Sequence, residues 1–120
     1  MILDFVKFVE TYSPIKYYPH SIPVTETGDA GMVRILPTYR AVKGGVASVE
    51  LQIIIRASHP EKAEQWATEL QDQLDKKTSF NIGDTRVILM EIKNPFPLYI
   101  GKDENDRYKY SVDAWILIEK

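Results

Sequence analysis

The sequence predicts an α+β fold: a mainly antiparallel sheet of four strands, or slightly more, with two main helices packed on one face. Three observations carry this expectation. Two segments place apolar residues at spacings of three and four, as a helix lying on a core requires. Other runs alternate apolar and polar residues, the two-residue period of a half-buried strand. The order is helix, strand pair, helix, strand pair, with no internal repeat, so helices and sheet are expected to form two layers around one core. The 120 residues suit a single domain, residues 1–120.

In residues 2–12, Ile2, Phe5, Val9 and Tyr12 recur at helical spacing and Pro14 ends the pattern. Residues 13–32 hold prolines and glycines without a sustained period, and read as irregular chain with one extended piece around Tyr17. "MVRILPTY" and "VASVELQIIIRAS" then read as strands joined by a loop in which Gly44 and Gly45 give the backbone its freedom. In the second of them Val49, Leu51, Ile53 and Ile55 share one side. At Ser58 a capping box is expected, with Glu61 reaching back and Pro60 in the first turn. Ala63, Trp66, Ala67, Leu70 and Leu74 form the apolar stripe of the helix that follows. After the turn "NIGDT", "RVILMEI" and "YKYSVDAWILIE" read as two strands joined by the loop around "GKDENDR".

Composition narrows the function. Fifteen basic and seventeen acidic residues are spread along the chain, so no dense cationic tract exists to bind nucleic acid by counterion release. There is no cysteine, hence no disulfide framework and no thiolate metal site. The apolar start is broken by Asp4, Lys7 and Glu10, and is read as neither signal peptide nor membrane span; a protein made in the cytosol is expected. His20 and His59 lack partners at metal-ligand spacing, and Asp103, Glu104 and Asp106 lack the rhythm of a calcium loop. No nucleophile elbow, no phosphate-binding glycine motif and no convergent acid–base set stands in the chain. A non-enzymatic protein without cofactor is expected.

The apolar pattern itself is then the main clue. On the last strand Tyr108, Tyr110, Val112, Ala114, Ile116 and Ile118 face one side, while Trp115 and Leu117 face the other. On "RVILMEI" the alternation puts Val87 and Leu89 on one side and Ile88, Met90 and Ile92 on the other. Two helices cover one face of such a sheet, not both. Either residues 13–32 fold over the second face, or neighbouring subunits do; we expect the latter, with Ile88, Met90, Trp115 and Leu117 in the subunit interface.

"ILDFVKFVE", "VELQIIIRASHPEKAEQWATELQDQLD" and "NPFPLYIGKDENDRYKYSVDAWILIE" resemble the minor capsid, or tail terminator, proteins of long-tailed phages of Gram-positive bacteria. The resemblance spans nearly the whole chain except roughly residues 18–45. It is strongest where Pro97, Leu98, Gly101, Lys102, Asp103, Glu104, Asn105, Arg107 and Tyr108 match the family's run from a Pro-Leu stretch through a charged turn to a Tyr-rich strand. Asp106 stands where the family has a glycine, and Asp113 where it has an asparagine.

The resemblance implies a ring, usually of six copies, at the head-proximal end of the tail. It stops polymerisation of the tail tube protein and offers a surface to the head-completion or connector protein. DNA would pass through without specific binding, and no membrane is involved. Arg40, Lys43, Gly44, Gly45, Lys102 and Asp103 are the residues expected in docking loops. The competing reading is a small cytosolic adaptor or inhibitor that binds a host or phage protein through its sheet edge.

Overall fold

The computed structural model describes residues 2–36, 41–42 and 45–119. In chain order the elements are α1 (Ile2–Glu10), β1 (Lys16–Pro19), β2 (Ala30–Leu36), β3 (Ala41–Val42), β4 (Val46–Ala57), α2 (Pro60–Leu74), β5 (Lys77–Ile82), β6 (Thr85–Ile92), β7 (Leu98–Lys102) and β8 (Tyr108–Glu119). The expected four-stranded, mainly antiparallel sheet is therefore incorrect. One eight-stranded mixed sheet dominates, ordered β1-β2-β4-β8-β6-β5, with β3 added to β4 and β7 added to β8. The β1–β2 pair is parallel; the other pairs are antiparallel.

The strands beyond the expected four are short edge pieces, too brief to show a period, and the first of them is the extended piece expected around Tyr17. "KYYP" has four residues, "KTSFNI" turns at Ser79 with a positive φ of 52°, and "LYIGK" is an apolar run without alternation.

The two twelve-residue strands β4 and β8 form the spine, paired along their whole length from Val46↔Glu119 to Ala57↔Tyr108. Their alternation is the one read from the sequence: Leu51, Ile53, Ile55, Val112, Ala114 and Ile116 are fully buried on the first face. Phe5 and Val9 of α1 and Ala67, Leu70 and Leu74 of α2 complete this cluster. Helix α2 lies on β8, β4 and β6, whereas α1 touches β1, β2 and also β5, at the opposite end of the sheet. Phe8 stacks on Phe80 of β5 with ring centroids 5.4 Å apart. The sheet thus curls around its core until both ends reach α1, the outcome expected when many twisted strands share one apolar face.

Two local expectations change. Helix α2 starts one residue late for the capping box: His59 is the N-cap without a side-chain cap bond, Pro60 is the first helical residue, and Ser58 gives its backbone N–H to Asp29 at 3.0 Å. Trp66 lies at the border of the stripe, partly buried, while Ala63, Ala67, Leu70 and Leu74 fill its centre.

Candidate functional site

The sheet's second face runs along Met32, Arg34 and Leu36 of β2, Ser48, Glu50, Gln52, Ile54 and Arg56 of β4, and Ser111, Asp113, Trp115 and Leu117 of β8. It divides into a covered end and an open end.

At the covered end lies Arg56, 7% exposed although it sits on the face away from both helices. Residues 26–28 fold over it. Arg56 Nη2 donates to the carbonyls of Glu26 (2.9 Å) and Gly28 (2.8 Å), and Arg107 Nη1 donates to that of Thr27 (2.5 Å). Arg107 Nε lies 2.9 Å from Asp103 Oδ2, and Arg56 Nη1 3.9 Å from the same oxygen. Asp103 also organises its own turn, accepting the N–H of Asn105 and of Arg107 through Oδ1, both at 2.9 Å. Burial acts to raise the Asp103 carboxyl, but those two N–H bonds and the two guanidinium groups outweigh it and hold the pKa below the usual range. Burial, then the neighbouring Arg107, lowers that of Arg56. Tyr18 OH donates to Glu26 Oε1 at 2.7 Å, which lowers the Glu26 carboxyl and raises the Tyr18 phenol. This set is a latch. Two cations hold a connecting segment by its carbonyls, so part of the second face is covered by the chain itself.

At the open end Trp115 is 44% exposed and Leu117 is half-buried. Trp115 pairs across the sheet with Glu50 on one side and Glu91 on the other. Lys93 Nζ sits 4.8 Å from its ring centroid and is bonded to Glu50. A large aromatic surface is thus held in one orientation by a cation over its ring.

Of the residues expected in the interface, Trp115 and Leu117 are on this open face and Ile88 is half-buried on β6, between β8 and β5. Met90 is not there. It is fully buried in the chain's own core, because β6 is bulged between Val87 and Leu89. The extra residue, Ile88, shifts the alternation by one, so Val87 opposite Ile118 and Met90 opposite Ile116 both face the core, and Leu89 opposite Leu117 does not. Of the expected docking residues, Arg40, Lys43 and Gly44 lie outside the described residues. Gly45 has φ 78°, and Lys102 and Asp103 stand at the start of the β7–β8 turn, with Lys102 exposed and Asp103 in the latch. The structure does not bring these last two next to Gly45, which lies at the other end of the β4–β8 spine. Sequence reasoning missed Arg56 and Glu26, and singled out Arg107 only through the family resemblance and not as a buried cation, since nothing local marks an arginine for burial. It also missed the exposed apolar run at Phe96, Leu98, Tyr99 and Ile100, whose only signal was its lack of alternation.

His20 adopts φ 69° in the connecting segment and His59 caps α2. Among the described residues no His, Asp and Glu side chains gather in a set able to hold a metal ion, and no helix is long and apolar enough to cross a membrane. What the molecule offers is surface, part latched and part open.

The model of a family described as bacteriophage tail terminator protein matches residues 16–120. The chain belongs to the bacteriophage tail terminator family. The match takes in all eight strands and α2, and leaves out α1, including the "ILDFVKFVE" stretch. It also runs through residues 18–45, where the resemblance read from the sequence was absent. Among curated proteins no sequence matches this one. Family membership gives the tail terminator a structural role in the phage tail.

Proposed function

We propose that this tail terminator assembles into a ring, of six copies by analogy with its family, that caps the head-proximal end of the tail tube. The cap stops polymerisation of the tube protein and presents a surface to the head-completion or connector protein. The observation that carries the reading is the open end of the second face. A half-exposed tryptophan beside Leu117, with its ring held by Lys93, is the type of anchor on which subunit interfaces depend. The latch supports the same division of labour. It covers the Arg56 end from within the chain and leaves the Trp115 end for a neighbour. A ring needs a contact between unlike patches whose rotation closes, and a curled sheet with one open face supplies one of them. DNA would pass through the ring without being gripped, because the formal charge is −2.

The test replaces Trp115 and Leu117 together with polar residues. The first face, with Val112, Ala114 and Ile116, still holds the core, so a folded chain is expected. Ring assembly on electron micrographs should be lost, and tails completed with this variant should vary in length or fail to join heads. A folded variant that forms normal rings and joins tails to heads refutes the assignment. The adaptor reading would instead give one or two copies bound at a sheet edge and no ring.

A further inference from the structure

Among the described residues the sheet has three outer edges besides the two-residue β3, and they are not treated alike. On β1 the Tyr17 N–H is taken by Glu10 Oε2 at 2.9 Å, and Pro19 has no N–H to give. On β5 Ser79 breaks the extended backbone with φ 52°, and α1 lies against the strand. Both devices stop another strand from adding. The edge of β7 is bulged between Tyr99 and Gly101, with Gly101 at φ 105°, but its start at Leu98 and Tyr99 is in regular register with β8, and among the described residues no strand pairs with its other side. Its side chains are apolar and exposed, Leu98 by 44%, Tyr99 by 53% and Ile100 by 44%, with Phe96 before them at 75%. Among the described residues, four of the seven large exposed apolar side chains fall in this one stretch, which marks it as a contact rather than as scattered surface.

The helix beside this edge is acidic, although β7 itself ends in Lys102 and Lys109 of β8 lies opposite Gly101. Tyr99 packs on Tyr110 with ring centroids 5.4 Å apart, and Tyr110 OH donates to Glu64 of α2 at 3.3 Å. Further along, Gln71 of α2 donates to the carbonyl of Asn94 at 2.8 Å, so α2 runs beside the stretch leading into β7. The outer surface of α2 exposes Glu61, Glu64, Glu69 and Asp72 against a single cation, Lys62. A second copy paired β7 to β7 across a two-fold axis would bring two such helices together, like charge on like.

From the open edge and its acidic flank we infer that β7 accepts an extended strand from a different protein, a segment alternating apolar and basic side chains. The backbone of β7 supplies the ladder, Leu98, on the face away from α2, takes the apolar side chains, and the α2 carboxylates on the Tyr99 face take the lysines or arginines. This contact is separate from the Trp115 surface and stands or falls independently of ring formation.

The probes are two octapeptides, one alternating valine with lysine and one alternating valine with glutamate, titrated into the full-length protein and followed by amide chemical shifts and hydrogen exchange. The lysine peptide should shift and protect amides of residues 96–102, and the glutamate peptide should not. Binding of the lysine peptide should fall about tenfold or more in Tyr99→Lys/Ile100→Lys, which blunts an already exposed edge, and severalfold in Glu61→Gln/Glu64→Gln. Three results overturn the inference. One is shifts that map elsewhere or are absent; another is equal binding of both peptides. The third is self-association of the unliganded protein that Tyr99→Lys/Ile100→Lys abolishes, which would make a second copy the occupant. The wild-type mapping decides the question even if a variant folds poorly.

Discussion

Replacing Arg107 with alanine tests whether the chain covers its own second face through the latch. The guanidinium is lost from two interactions: a charge-assisted bond to the Thr27 carbonyl at 2.5 Å and an ion pair with Asp103 at 2.9 Å. A hydrogen bond to a charged group contributes about 1.5–3 kcal/mol. Breaking a deeply buried ion pair costs about 3–5 kcal/mol, mostly through the charge left behind. The second figure must be reduced here. The Arg107 and Asp103 side chains keep 10% and 18% exposure, Arg56 stays 3.9 Å from the same carboxylate, and the backbone N–H bonds to Asp103 survive the change. A net loss of about 2–4 kcal/mol follows, a large share of a small domain's stability. Urea unfolding should report it as a lower midpoint with little change of slope. Hydrogen exchange should show faster exchange at the amides of Glu26 and Gly28, which are bonded within the latched segment. Arg107→Lys, which keeps the charge and loses the planar fork, should fall between the two. A loss under about 1 kcal/mol, with unchanged exchange at residues 26–28, would refute the latch.

Further outcomes follow from the backbone and from the carboxylates. Gly31→Ala should lower stability by about 1–3 kcal/mol in thermal unfolding, because a Cβ there would meet the Tyr17 ring and lie 2.8 Å from the Ile54 carbonyl oxygen; an unchanged midpoint would mean that Tyr17 does not pack over this glycine. Asp106→Gly should raise stability by up to about 1 kcal/mol, since Asp106 holds φ 58° in the left-handed region and its pairing with Lys102 is exposed. A decrease would show that the pairing outweighs the strain. Asp103 and Glu26 both have lowered pKa values in the folded chain, so the unfolded chain binds more protons and stability falls as pH drops below about 4. In Asp103→Asn the unfolding free energy at neutral pH should be lower and its fall in acid shallower. The same slope as wild type would show that Asp103 is not part of the acid response.

How much was legible in the sequence depended on how far each feature is set by nearest neighbours along the chain. Helix α2, the spine strands β4 and β8 and the burial of Leu51, Ile53, Ile55, Val112, Ala114 and Ile116 were all readable, because long regular segments repeat their period several times. Likewise Trp115 and Leu117 could be placed on the second face from alternation alone. The rest was decided by tertiary structure. The bulge at Ile88 carries no mark in "RVILMEI", yet it moves Met90 from the expected interface into the core by a one-residue shift of phase. Strands β1, β5 and β7 exist because longer neighbours offer them backbone partners, not because four to six residues prefer to be extended. Nothing in the residues around Arg56 and Arg107 marks either for burial. Only the fold brings them within reach of carbonyls some 28 to 80 positions away and of one shared carboxylate, the condition under which a buried guanidinium is tolerated.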